Sequence, residues 1–264
     1  MKTTHSILAA AGLLISVAIH ADTQQLIRDL PRDLEMELAL SALPPHLRAE
    51  ATVYLLGTSL RFEVAREGTN GFHTFVSRND PSAFHGSWPY AEYQDDILVP
   101  IAFDDAGSRA QMQVYFDMAE LRAAGTAAEE MKVIINGRYD TGHYRAPDRA
   151  GISYMLAPVV RTYVDPDETD LIATWNVPHY MFYAPGVSND QIGGKFQSEH
   201  PFILNQSPGP HGYIIQTVGQ AEKEAINREH AKMIARLCEL RDVYCLPGQK
   251  PGSSSGATSI VRSP

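Results

Sequence analysis

Two histidines in this chain each follow a proline and each open an apolar run: Pro178-His179-Tyr180-Met181-Phe182 and Pro210-His211-Gly212-Tyr213-Ile214. Imidazole is the side chain that exchanges a proton near neutral pH, and loop-to-strand junctions are where a rigid scaffold presents its chemistry. If the two strands run parallel as neighbours, the histidines share one end. If they are antiparallel and of equal length, the histidines lie at opposite ends. Glu67, just before the turn Gly68-Thr69-Asn70-Gly71, supplies a carboxylate that would orient or ionise a histidine. His179, His211 and Glu67 are therefore the candidate catalytic set, of a hydrolase type. His143, in Gly142-His143-Tyr144-Arg145-Ala146-Pro147, adds a third nitrogen. His143, His179 and His211 are accordingly a candidate metal set, since three protein ligands with an open position are what catalytic zinc requires. The alternative is that these histidines are half-buried and hydrogen-bond to loop backbone.

Arg145 and Arg149 bracket Pro147-Asp148 ahead of an apolar run at Ile152. Guanidinium forks grip carboxylates and phosphates in a bidentate way. Tyr144, Arg145, Arg149 and Asn70 thus form a candidate binding set for a small polar or anionic ligand, with the aromatic loop Trp88–Tyr93 beside them. The alternative is an internal pair of an arginine with Asp148 or Glu67 that fixes the loop. The acidic run Asp165-Pro166-Asp167-Glu168-Thr169-Asp170 has oxygens for calcium but not the spacing of a helix-loop-helix site, and a solvated turn explains it as well. Gly252-Ser253-Ser254-Ser255-Gly256 spells a nucleophile elbow with no strand before it. Gly194-Lys195 is followed by Phe196, so it lacks the hydroxyl a phosphate loop needs. Asn205-Gln206-Ser207 is a glycosylation sequon in letters only, with Pro208 after it.

The elements that must hold these residues are mixed. Pro31 to Ala42 reads as an amphipathic helix with Leu34 and Leu38 inward, and Pro45 opens a second short one through Ala49. Thr52–Leu56, Leu60–Arg66 and Phe72–Ser77 read as strands joined by Gly57 and by the turn at Gly68–Gly71, a β-meander. Ala119–Gly125 and Ala127–Asn136 look helical. Ile152–Tyr163, His179–Tyr183, Phe202–Leu204 and Tyr213–Val218 are β-branched and aromatic, bounded by Gly or Pro, and read as strands. Ile226, His230, Met233, Ile234, Leu237 and Cys238 lie along one face of a closing helix. Strands that do not alternate regularly with helices indicate an α+β fold, an antiparallel sheet beginning with a meander and packed by N- and C-terminal helices.

Several of these segments carry a resemblance as text. Arg66-Glu67-Gly68-Thr69-Asn70-Gly71-Phe72, Tyr144-Arg145-Ala146-Pro147, Gly151-Ile152-Ser153-Tyr154-Met155-Leu156, Pro178-His179-Tyr180-Met181-Phe182-Tyr183-Ala184-Pro185 and Gly209-Pro210-His211-Gly212-Tyr213 resemble a family of exported bacterial proteins with no assigned activity. The resemblance spans most of the chain after the N-terminal segment. It implies a cell-envelope setting and no mechanism. It also implies a cysteine in relatives where this chain has His73-Thr74, so thiol catalysis does not carry over.

The chain opens with a positive charge at Lys2, an apolar run from Ile7 to Ile19, and small residues at Ala18 and Ala21. That order is the pattern of a secretory signal peptide over residues 1–21. The apolar run is too short for a membrane-spanning helix of about 20 residues, so no transmembrane segment is expected in the mature chain, which would be periplasmic or secreted. A single domain is expected over 22–246. From Pro247 the text turns to Gly, Ser and Pro, and a disordered tail is expected over 247–264. Removing residues 1–21 takes away Lys2 and no acid, leaving 21 basic and 31 acidic residues, a formal charge of −10. Such a surface repels phosphate backbones and argues against nucleic acid as a partner. The two cysteines, Cys238 and Cys245, are seven apart. In an unbroken helix that separation is about 10.5 Å, beyond the roughly 7 Å a disulfide tolerates, so a bridge requires the helix to end between them. The alternative is a reduced Cys238 in the core. A hydrolase-type envelope enzyme, a non-catalytic binding module for a small polar or anionic ligand, and an envelope interaction protein all remain open.

Overall fold

The computed structural model describes residues 27, 29–81, 92–164, 171–195, 200–203 and 209–249. The expected signal peptide, residues 82–91 with the first four of the aromatic loop, the acidic run 165–170, the sequon 205–207 and the tail from 250 onward lie outside the described residues. Among the described residues no helix is long and apolar enough to cross a membrane.

Helix α1 (Arg32–Ser41) buries Leu34 and Leu38, one turn apart, with Ala39 beside them. Helix α2 (Pro45–Arg48) starts on a proline at its first position, where the missing N–H has no partner to lose. Strands β1 (Thr52–Leu56) and β2 (Phe62–Arg66) form an antiparallel hairpin. Strand β3 (His73–Ser77) does not fold back onto β2. It lies on the other side of β1 and parallel to it, so the expected meander is replaced by a crossover.

The cause is visible in the connecting loop. Gly68 passes so close to the backbone of Glu50, Ala51 and Thr52 that a Cβ there would have no room. The N–H groups of Thr69 and Asn70 both donate to the Glu50 carbonyl, and Thr52 N–H donates to the Phe72 carbonyl at 2.8 Å. The glycines that suggested a tight return turn instead let the chain wrap under the start of β1.

Strand β4 (Val99–Phe103) is buried at every position and so lacks the alternation that marks a half-buried strand. Helices α3 (Asp105–Arg109), α4 (Met112–Ala123) and α5 (Ala128–Asp140) follow, the last two starting or ending beyond the limits that periodicity suggests. The expected strand Ile152–Tyr163 breaks around Pro158 into β5 (Ile152–Met155) and β6 (Val160–Tyr163). Strand β6 leaves the main sheet to pair with β7 (Ile172–Trp175). Strands β8 (His179–Tyr183), β9 (Phe202–Ile203) and β10 (Tyr213–Thr217) complete the sheet, with α6 (Asn189–Ile192) between β8 and β9.

The eight-stranded sheet runs β2-β1-β3-β4-β5-β8-β10-β9, and every neighbouring pair except β1–β3 is antiparallel. The fold is α+β. One face of the sheet packs Phe75, Ile101, Phe103 and Met181 against Val114 and Met118 of α4 and Met131 and Ile135 of α5. On the opposite face Val53, Leu55 and Val76 meet Leu34 and Leu38 of α1 and Met233, Ile234 and Leu237 of the last helix. That last helix is interrupted. It divides at His230 (φ −100°, ψ 16°) into α7 (Gln220–Glu229) and α8 (Ala231–Leu240), yet the expected apolar face stays buried from Ile226 to Cys238. Beyond Leu240 the chain extends at Arg241 and turns through a 3-10 segment, Asp242–Tyr244. The turn returns Cys245 to a Cα separation of 4.3 Å from Cys238, and a disulfide joins them.

Candidate functional site

Strands β8 and β10 pair antiparallel with Thr217 opposite His179 and Tyr213 opposite Tyr183. The two Pro-His junctions therefore stand at opposite ends of one ladder, and His179 and His211 do not share a cleft. His179 donates from Nδ1 to the Val177 carbonyl at 2.6 Å, a contact within its own loop. Glu67 is exposed at the crossover loop and makes no ion pair among the described residues. Asn70 is spent on that loop: its Nδ2 donates to the Leu47 carbonyl at 2.8 Å and its Oδ1 accepts from Phe72 N–H at 3.0 Å. The set His179, His211 and Glu67 is not assembled, and among the described residues no three His, Cys, Asp or Glu side chains are grouped to hold a metal ion.

His143, Tyr144, Arg145 and His211 do come together, and the reason is local. Helix α5 ends in a Schellman turn: Gly142 sits at φ +70°, its N–H donates to the Tyr139 carbonyl at 3.0 Å, and His143 N–H donates to the Arg138 carbonyl at 2.9 Å. A left-handed residue there favours glycine. The turn throws the chain back along the helix, so that the Tyr144 ring packs on Tyr139 with centroids 4.7 Å apart. His143 lies edge-on to the same ring at 5.2 Å, and His211 packs against it at 5.8 Å.

Tyr144 is fully buried and its hydroxyl donates to Asp117 Oδ2 at 2.8 Å. Asp117, on α4, also accepts from Arg138 Nη1 at 2.6 Å. Gln113, one turn before Asp117, lies 3.1 Å from His143 Nε2. Burial raises the Tyr144 and Tyr139 hydroxyl pKa values well above the ordinary phenol value, so both remain protonated donors. On one side His211 faces a backbone acceptor. Its Nε2 lies 3.1 Å from the Arg145 carbonyl, which can only accept, so Nε2 carries the proton. In the neutral ring its Nδ1, 3.0 Å from the Tyr139 hydroxyl, accepts. Both ring nitrogens are used, and His211 acts as a clamp on the Arg145 backbone, with neither nitrogen turned to an incoming molecule.

Beyond that clamp lies a surface cavity of about 210 Å³, lined by Ala106, Arg109, Ala110, Arg145, Ala146 and Asp148. Helix α3 supplies its floor. Asp104 caps that helix by accepting from Gly107 N–H at 2.9 Å, and the Tyr183 hydroxyl donates to the same carboxylate at 2.9 Å. Gly107 has no room for a Cβ beneath that hydroxyl. The arginines around the cavity differ. Arg149 pairs with Asp104 at 3.3 Å, rather than with Asp148 or Glu67. Arg109 pairs with Asp105 and reaches Asp148 at 3.4 Å, and this pairing holds the Asp105 carboxyl below its ordinary value. The Arg145 guanidinium, at the cavity wall, has no hydrogen bond or ion pair among the described residues.

Asp117, Arg138, Tyr139, Gln113 and Arg109 are absent from the sequence-derived candidates. The signal that would have found two of them is the pair Thr141-Gly142, a helix stop that places Arg138 and Tyr139 in the last turn of α5 and folds Tyr144 back along the helix. Comparison of the chain with protein-family models, with curated proteins and with solved structures finds no match to any of them.

Proposed function

We propose that this protein is an exported, non-catalytic binding protein for a small anionic ligand, a carboxylate or phosphate, taken by Arg145 at the cavity beside α3. The carrying observation is the contrast among the three arginines: Arg109 and Arg149 are ion-paired, and Arg145 stands unpaired at the cavity wall. An unpaired guanidinium on a fixed backbone is suited to bidentate capture of an anion. Its carbonyl is held by His211 and its neighbour Tyr144 is anchored by Asp117, so little ordering is left for binding to impose. The hydrolase reading has less support, since its histidines and Glu67 lie apart and His211 has both nitrogens occupied. The N-terminal pattern of Lys2, the apolar run and Ala21, together with the disulfide, supports export to the periplasm or outside the cell. The resemblance to exported bacterial proteins agrees with that setting.

Titration calorimetry and thermal shift of the protein with phosphate, acetate and succinate test the reading. At least one should bind and raise the melting temperature, and Arg145→Ala should remove the effect while leaving the unliganded melting temperature within a degree or two. No binding by any of these anions, or equal binding by Arg145→Ala, would refute it.

A further inference from the structure

We infer that the ligand of this cavity is a small zwitterion, carrying a carboxylate at one end and a protonated amine at the other, held between Arg145 and Asp148. The inference rests on the anion-binding reading of Arg145 and adds the second pole. Two opposite charges line one cavity three residues apart, and they form no ion pair with one another. The third charged lining residue, Arg109, is occupied by Asp105 at its own helix turn and is only at the margin of hydrogen-bonding distance from Asp148, 3.4 Å away.

The lining thus presents one uncommitted positive group and one carboxylate with free acceptor capacity. A carboxylate accepts about four hydrogen bonds in all. An anion alone would satisfy Arg145 and bring a second negative charge near Asp148, whose cation partner Arg109 is shared with Asp105. A zwitterion meets Arg145 with its carboxylate and adds an ammonium beside Asp148. Besides the three charged residues the lining is Ala106, Ala110 and Ala146, whose methyl groups suit a short methylene chain. A volume of about 210 Å³ corresponds to about seven water-sized groups at about 30 Å³ each. A cavity of that size, open at the surface, accommodates a short amino acid.

The backbone that carries both poles is fixed at its upstream end. Tyr144 is buried and bonded to Asp117, and the Arg145 carbonyl is clamped by His211. Ala146 and Pro147 then lead to Asp148, proline removing one soft torsion from the span.

The test is calorimetric titration of the full mature protein with glycine, β-alanine and γ-aminobutyrate, set against acetate, phosphate and propylamine, each carrying one pole only. At least one amino acid should bind tenfold or more tightly than acetate and phosphate. Asp148→Asn should weaken that amino acid about tenfold and leave acetate binding as tightly or more tightly, since the amide keeps the shape and an acceptor but loses the charge. Arg145→Ala should abolish both. If acetate or phosphate binds as tightly as every amino acid and Asp148→Asn changes nothing, the zwitterion is overturned and the anion reading survives. If nothing binds, or Arg145→Ala is without effect, both fall. Circular dichroism of each variant, expected to match the parent, separates lost binding from lost folding.

Discussion

The two ends of the β8–β10 ladder begin from the same local text, Pro-His followed by an apolar strand, and end in different environments. At one end His211 is bonded through both nitrogens, to the Tyr139 hydroxyl and the Arg145 carbonyl, and packs among two tyrosine rings beside a cavity. At the other end His179 bonds, among the described residues, to its own loop. There the neighbouring α7 contributes Glu222, which accepts from the Tyr180 hydroxyl, and Glu229, which pairs with Arg48. A second cavity of about 190 Å³ is lined there by Arg48, Glu222 and Glu229, of which Arg48 and Glu229 are paired with each other and Glu222 is bonded to the Tyr180 hydroxyl. Local sequence marks a junction. What the junction does depends on which helix ends face it.

The comparison can be broken most directly by removing the anchor of each end. Tyr144→Ala deletes a ring that is almost fully buried among Tyr139, His143 and His211. It should lower unfolding stability by about 3–5 kcal/mol, as aromatic truncations in cores do. Tyr180→Ala, at the other end, removes a ring only partly covered and should cost about 1–2 kcal/mol. Urea unfolding of both variants measures this. Equal losses would mean that the ends are equally packed and that the tyrosine cluster is not a special anchor. Tyr144→Phe sharpens the point, since it keeps the ring and removes only the bond to the Asp117 carboxylate. Hydrogen bonds to charged groups contribute about 1.5–3 kcal/mol, so the loss should fall below that of the alanine variant.

Much of the frame was legible in the residues, and the failures have physical reasons. Leu34 and Leu38, the Ile226-to-Cys238 face and the runs at His179 and Tyr213 showed their periods because each element is covered on one side only. Strand β4 was hidden because helices cover both faces, so Val99–Phe103 shows no alternation. The meander was misplaced because Gly68–Gly71 suits a tight turn and a close crossover equally well, and the long-range contact of Gly68 with Glu50–Thr52 decides between them. At the site, His143, Tyr144, Arg145 and His211 were legible as polar and aromatic residues in Gly- and Pro-rich loops. Their gathering was not, because it depends on the direction of β10 and on Gly142 ending α5. Asp117 and Gln113 look like ordinary solvent-facing positions of α4 and acquire a role only when α5 lies beside it.

A ligand-based test weighs the two Pro-His histidines against each other. His211→Ala frees the Arg145 carbonyl and should weaken binding at the cavity about fivefold, the equivalent of roughly one hydrogen bond of about 1 kcal/mol. His179→Ala lies at the far end of the ladder and should leave that affinity unchanged. Calorimetric titration with the tightest-binding ligand reads both. A loss in His179→Ala equal to that in His211→Ala would show that the ends are coupled through the sheet, and the clamp would lose its meaning.

The smallest expected effect concerns acid. His230, at the break between α7 and α8, is buried and its Nε2 has no hydrogen-bond partner, the opposite of His211. The groups that face it are Arg48 and Glu229, the latter 3.8 Å from Nε2. Burial, with the Arg48 charge adding to it and Glu229 opposing, holds the His230 pKa below the ordinary histidine value. The unfolded chain, with an ordinary value near 6.5, therefore binds a proton more readily than the folded one. Stability from this group is fully present above that unfolded value, and it is lost as pH falls from there through the lower folded value. His73 and His179 are also lowered, each chiefly by burial, so the parent protein should lose stability over the same window from all three. His230→Gln keeps a polar group of similar size and removes one titrating site. Its urea midpoint should decline less than the parent's between about pH 7 and pH 5.5, with the parent's pH dependence restored nowhere in that range. A decline as steep as the parent's would mean that His230 is solvated or paired in solution. The contrast between the fully bonded His211 and the unbonded His230 would then not hold.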